Sequence, residues 1–109
     1  MQINFENFSK FKILTGTILS IANNQKARKP AYVLEIDFGN ELGVKKTSAQ
    51  ITNYSMKELE GRQIVAVTNF PSKNIAGIIS EVLVLGAITN EGVKLLGSDA
   101  KVENGIAIG

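Results

Sequence analysis

The chain has 109 residues, of which 44% are hydrophobic and 20% charged, a composition typical of one ordinary folded domain. It contains no cysteine and no histidine, which excludes disulfides, thiolate nucleophiles, Ser-His catalytic pairs and the common zinc sites. The formal net charge of +2 is too small for a protein that coats nucleic acid. The positive charge is concentrated in residues 1–50, which hold seven basic and four acidic side chains, whereas residues 51–109 hold five basic and six acidic ones.

The N-terminal part predicts a short helix and a long strand. Residues 4–8 begin with an asparagine suited to cap a helix, and we expect Phe5 and Phe8 to pack over one mouth of a barrel. The first strand is expected at residues 12–22, with a bend at Gly16. This region therefore predicts a coiled strand that follows a small helical plug.

The middle of the chain continues the β pattern. Residues 32–38 alternate between apolar and mostly polar side chains, which marks one buried and one exposed face and assigns Phe38 to the core. A third strand is expected at residues 43–48 and a fourth at 64–67, with a turn or short helix at 51–59 between them. A five-stranded Greek-key barrel with such an insert is an OB fold, an all-β class.

Two apolar stretches follow, at residues 75–79 and 82–85. The second is apolar at every position, which indicates burial on both faces. A small domain gains stability from a partner that covers such a face. We therefore expect a homodimer.

Four parts of the sequence carry a resemblance to a known family. They lie at residues 15–18, at 27–31 with 36–39, at 47–52, and at 67–71 with 75–77 and 80–86. In this order, across nearly the whole chain, they resemble the tRNA-binding domain that occurs alone in CsaA and appended to some aminoacyl-tRNA synthetases. Glu81 and Val82 stand where synthetase-appended relatives usually have Gly and Met, which favours the CsaA type.

The resemblance implies an OB-fold homodimer in the cytoplasm that binds tRNA, unfolded or pre-secretory polypeptides, or both. It does not rank the two activities. The alternative is a tRNA-binding accessory module that acts with aminoacyl-tRNA synthetases and has no chaperone activity. Both readings describe a binding module that is not an enzyme and uses no cofactor.

The candidate nucleic-acid-binding residues begin with the densest basic cluster, Lys26, Arg28 and Lys29, in the loop between the first two strands. OB folds bind ligands with this loop and the adjoining sheet face. A charged loop that only promotes solubility is an equally good interpretation of the cluster.

The third strand adds Lys46, Ser48 and Gln50, which share one face and offer a cation, a hydroxyl and an amide to phosphate and ribose. Lys45 points to the opposite face. The register of the strand is not determined by the sequence, and we favour Lys46 over Lys45 because of its neighbours.

Further candidates follow the fourth strand. Asn69 either fixes a turn or meets a ligand, and Lys73 and Ser80 are added as nucleic-acid contacts. For polypeptides we select Phe70, an apolar or stacking surface, and Glu81, which either reads a polar peptide group or orders a neighbouring cation. Packing or structural roles compete with each of these assignments.

Neither catalysis nor membrane insertion is expected. No glycine-rich phosphate-binding motif occurs. Glu35 and Asp37 share the exposed face of a strand, where acidic side chains are more often solubilising than catalytic. The N-terminus has no secretory pattern, and the longest apolar run, at residues 82–88, falls well short of the roughly 20 residues that a spanning helix needs. We therefore expect one cytoplasmic domain over residues 1–109, without cofactor or metal.

Overall fold

The computed structural model describes residues 1–109. Its elements follow in the order α1 (Phe5–Phe8), β1 (Ile13–Asn23), β2 (Tyr32–Asp37), β3 (Val44–Ala49), α2 (Met56–Leu59), β4 (Gln63–Val67), β5 (Lys73–Ile75), β6 (Ile78–Ser80), β7 (Leu83–Val84), β8 (Gly86–Thr89) and β9 (Gly92–Leu95). Neither four-residue helix has the length needed to cross a membrane.

Five strands form one antiparallel sheet, in the order β3-β2-β1-β4-β7, which curls into a nearly closed barrel. The long strand β1 pairs with β4 through its first half and with β2 mainly through its second half. A β-bulge between Ile18 and Ser20 lies close to the point where the partner changes, and it adds the bend that such a strand needs. The predicted OB fold, with its N-terminal helix and helical insert, is confirmed.

The core lies inside the barrel and follows the predicted alternation of β2. Leu34, Ile36 and Phe38 are buried, whereas Glu35 is exposed. Gly16 packs against this row, because a Cβ atom there would lie 2.8 Å from the side chains of Ile36 and Phe38. Gly16 therefore allows close packing of β1 on this row, and the β-bulge follows two residues later; the bend at Gly16 itself stays a prediction.

The prediction that both phenylalanines of the N-terminal helix pack over the barrel is wrong for Phe5. Asn4 caps α1 as predicted, since its side chain accepts a hydrogen bond from the Asn7 N–H at 2.9 Å. Phe8 is half-buried, but Phe5 is 79% exposed, and its ring lies tilted beside that of Phe8 with the centroids 6.2 Å apart. Only Phe8 is therefore partly covered by the barrel.

The insert between β3 and β4 closes one end of the core. Ser55 and Glu58 form a capping box at the start of α2, and Leu59 at its end is fully buried. The Ser55 backbone N–H bonded to the carboxylate holds the pKa of Glu58 below its usual value. The helix thus orients one apolar side chain into the barrel.

The barrel closes between β3 and residues 80–82 chiefly through side chains. The Lys46 N–H donates to Glu81 Oε1 at 2.9 Å, and the Glu81 N–H donates to the Lys46 carbonyl at 2.8 Å. Thr47 donates its hydroxyl to the Val82 carbonyl at 2.8 Å, and its oxygen lies 2.6 Å from Ser80 Oγ. We call this contact between residues 46–48 and 80–82 the seam.

Candidate nucleic-acid interface

Two adjoining pockets lie beside the seam, and we call them together the groove and separately its two halves. Ser48, Gln50 and Ile75 line both halves and form their common floor. The basic end has a volume of about 410 Å³, and the apolar end about 450 Å³. The remaining residues of the basic end are Ala27, Arg28, Lys29, Ala31 and Ala76, and those of the apolar end include Phe70, Pro71, Lys73, Leu83, Val84 and Val93.

The loop between β1 and β2 places the cations of the basic end. Its backbone turns tightly, because the Asn24 N–H donates to Ala31 O at 2.9 Å and the Ala27 N–H donates to Asn24 O at 3.2 Å. Arg28 and Lys29 are exposed and have no acidic partner, since the single salt bridge of the protein joins Lys45 to Glu81. Both charges are therefore free to attract an anion.

Asn24 lines neither half of the groove, but it bonds to two residues that do, a role that was not predicted from the sequence. It is 8% exposed, and its side-chain amide donates to Ser48 Oγ at 3.1 Å and to the Ile75 carbonyl at 3.4 Å. One side chain thus joins the basic loop, β3 and the β5–β6 hairpin. In the sequence it stands only as the second residue of an Asn-Asn pair, and its partners lie 24 and 51 residues away.

Strand β3 has the register that we favoured. Thr47 faces the core, so Lys46 and Ser48 lie on the outer face. Ser48 and Gln50 line the groove, but Lys46 is exposed outside both of its halves. Lys45 is half-buried, with its Nζ 3.8 Å from Glu81 Oε2.

The polar groups of Ser80 and Glu81 lie at the groove but are engaged in the seam. Since Thr47 donates its proton to Val82, the Ser80 hydroxyl is the donor to Thr47, and it also accepts from the Ser48 N–H at 3.2 Å. Glu81 orders a neighbouring lysine and the β3 backbone, which is one of its two predicted roles. Both residues therefore line the apolar end of the groove while their polar groups hold the seam together.

Asn69 has a structural role in this structure. Its Oδ1 accepts from the Lys12 N–H at 2.9 Å, and its amide donates to the Lys10 carbonyl at 2.8 Å. It lines neither half of the groove. Its bonds join the segment after β4 to the segment before β1, and contact with a ligand stays a prediction.

Phe70 and Lys73 lie together at the apolar end, as wall residues on either side of Pro71. The Phe70 ring is 44% exposed and stands edge-on to Phe11, with the ring centroids 5.9 Å apart. Lys26, from the basic loop, lies outside the lining and reaches the β5–β6 turn, since a Cβ atom on Gly77 would be 3.6 Å from its Cδ.

The arrangement joins two kinds of chemistry on one surface. Unpaired cations beside a hydroxyl and an amide suit phosphate and ribose oxygens. An exposed aromatic ring among aliphatic side chains suits a base or an apolar side chain.

Comparison with known proteins gives the family. A model of the putative tRNA-binding domain matches residues 13–107. The crystal structure of the CsaA chaperone protein from Picrophilus torridus is 52% identical with a TM-score of 0.95, covering 99% of this chain and 100% of that one. Chaperone CsaA from Bacillus anthracis str. Ames is 47% identical, with a TM-score of 0.94 and full coverage of both chains.

A further relative is a much longer protein. The methionine–tRNA ligase of Thermococcus onnurineus is 33% identical over 97% of this chain, which spans only 14% of the ligase. The matched segment therefore corresponds to one part of that enzyme. Since the family match covers nearly the whole barrel, the chain belongs to the tRNA-binding domain family.

Proposed function

We propose that this protein is a non-catalytic module that binds tRNA along the two-ended groove. The observation that carries the proposal is the pair of unpaired cations, Arg28 and Lys29, on the same groove as Ser48 and Gln50. Phosphate contacts supply affinity, and hydroxyl and amide groups bond to the ribose and base edges. Phe70 offers a stacking surface at the other end of the groove.

A salt titration of fluorescent tRNA, followed by anisotropy, tests the proposal. Each phosphate contact contributes a log-log slope of about −0.7 to −0.9, so three contacts give a slope of about −2 to −3. We expect binding at low salt that weakens along such a line. No binding at low salt would overturn the proposal.

A second candidate ligand, an unfolded or pre-secretory polypeptide, is favoured by the apolar end of the groove. Phe70, Leu83 and Val93 line it, and Phe70 and Leu83 are 44% and 49% exposed. The two solved neighbours named CsaA chaperones support this reading. We expect suppression of the aggregation of an unfolded client with little salt dependence, and no suppression at one dimer per client would remove the candidate.

Competition distinguishes one shared surface from two. If tRNA displaces a fluorescent unfolded client from the protein, both ligands use the groove. Simultaneous binding places them on separate surfaces. tRNA binding without any effect on a client favours the accessory-module alternative, which the matched ligase segment also supports.

We further propose a cytoplasmic homodimer. Exposed apolar side chains outside the groove, such as Ile88 and Leu96, support association of two copies, since a small barrel gains from burying them. Light scattering at micromolar concentration should give twice the mass of the chain. A monomeric mass would contradict the dimer without touching the groove.

A further inference from the structure

The β5–β6 hairpin ends in an unusual turn at the basic end of the groove. Ile75 pairs with Ile78, which leaves Ala76 and Gly77 as a two-residue loop. Their φ angles are +50° and +85°, and positive φ at both positions defines a type I′ turn. Such turns prefer Asn, Asp or Gly at the first position, because a Cβ atom is strained in the left-handed region.

Ala76 is the only residue other than glycine with a positive φ. A strained residue persists where the surrounding structure holds it or where function requires it. The hairpin is indeed held, because Asn24 bonds to the Ile75 carbonyl and Asn74 Oδ1 accepts from the Gly77 N–H at 2.9 Å. These contacts keep the turn in place but do not explain why its first residue is alanine.

The position of Ala76 supplies a reason. It is half-buried and lines the basic end together with Arg28 and Lys29. The remaining lining residues beyond the shared floor are Ala27 and Ala31, so three alanines stand beside the two cations. A longer side chain at residue 76 would project into the volume from which a phosphate would be reached.

We propose that Ala76 is a specificity-determining residue that keeps the basic end wide enough for a ribose–phosphate backbone, at the expense of strain in its own turn. The inference rests on the proposed tRNA binding and adds the role of this position to it. A narrower ligand, such as an extended peptide, would not need the same width. A longer side chain that suits the turn should therefore raise stability and lower RNA affinity.

The test compares Ala76→Asn with Ala76→Gly. Asn-Gly is the favoured pair for a type I′ turn, so A76N should raise the melting temperature by about 4 °C. The same variant should weaken tRNA binding by about ten-fold, the value of one lost charge-assisted hydrogen bond. A76G relieves the strained Cβ without filling the groove, and it should bind tRNA as the unmodified protein does.

The outcomes separate this inference from the proposed function. If the unmodified protein binds tRNA and A76N binds equally well, the width role of Ala76 is wrong while tRNA binding stands. Equal losses in A76N and A76G would show that the methyl group itself makes a contact, which also overturns the inference. Failure of the unmodified protein to bind tRNA at low salt would instead remove the proposed function.

Discussion

The two ends of the groove share a floor but differ in chemistry. The basic end has small walls and takes its charge from one loop, through Arg28 and Lys29. The apolar end is built from larger side chains such as Phe70 and Leu83, and its carboxylate, Glu81, is engaged in the seam. A ligand that carries both phosphates and bases would use both ends, whereas an unfolded polypeptide would need mainly the second.

Reversing the charges of the basic end should have the largest effect on tRNA binding. It should separate the two ligands, because polypeptide binding depends mainly on the apolar end. Arg28→Glu with Lys29→Glu removes two phosphate contacts and adds repulsion, so we expect about 100-fold weaker tRNA binding at low salt and a slope shallower by about 1.4 to 1.8. Aggregation suppression should be unchanged. Anisotropy and light scattering measure the two effects.

The matched control is Lys57→Glu with Lys101→Glu, which changes the net charge by the same amount at exposed residues outside both ends of the groove. Its tRNA affinity should fall only slightly. Equal losses in the two double variants would mean that tRNA responds to total charge and that the basic end has no special role.

Removing the aromatic ring of the apolar end should have the next largest effect. Phe70→Ala deletes an exposed stacking surface, and a stacked base is worth about 1–3 kcal/mol, so tRNA affinity should fall by about ten-fold. Client binding should weaken as well. Phe11→Ala is the control, because Phe11 supports the Phe70 ring edge-on but does not line the groove.

We expect F11A to lose less than half of the binding free energy that F70A loses. If F70A leaves both ligands unaffected, the apolar end is not a ligand surface. If it affects only the client, the groove is divided between two ligands, and the shared-surface interpretation is wrong.

The sequence predicted the barrel better than it predicted the details of the groove. The period-two pattern of residues 32–38 is a local signal, and it correctly placed Leu34, Ile36 and Phe38 inside. The position of Arg28 and Lys29 followed equally from their loop between two strands. Their contact with a ligand, like that of the other predicted site residues, stays a prediction.

What the sequence could not provide depends on long-range partners and backbone angles. Ser80 looks like a free hydroxyl until Thr47, 33 residues away, is found 2.6 Å from it. Asn69 likewise looks available, but it is bonded to Lys10 and Lys12, which precede β1. The stretch 75–79 gives no sign of a turn with positive φ at an alanine.

Removing the side-chain amide of Asn24, which bonds the basic loop to β3 and to the β5–β6 hairpin, should have an intermediate effect on tRNA binding. Asn24→Ala loses the bonds to Ser48 and Ile75, which should cost about 1–2 kcal/mol of stability and several-fold in tRNA affinity. Asn23→Ala is the neighbouring control, because Asn23 is exposed and makes no side-chain hydrogen bond. Equal denaturation midpoints for the two variants would show that Asn24 does not organise the groove.

The smallest effect on tRNA affinity is expected at the lysine pair of β3. Comparing Lys45 with Lys46 tests how far the RNA-binding surface extends beyond the groove. Lys46 lies on the outer face with Ser48 but outside the groove, so Lys46→Ala should lower tRNA affinity by about two- to three-fold, as for a single peripheral phosphate contact. Lys45→Ala should leave affinity unchanged. Its ion pair with Glu81 is about one-third exposed and at 3.8 Å contributes at most about 0.5 kcal/mol. Since the two variants remove the same charge from adjacent residues, a larger loss in K45A would place the RNA beside Lys45 and Glu81 rather than beside Lys46.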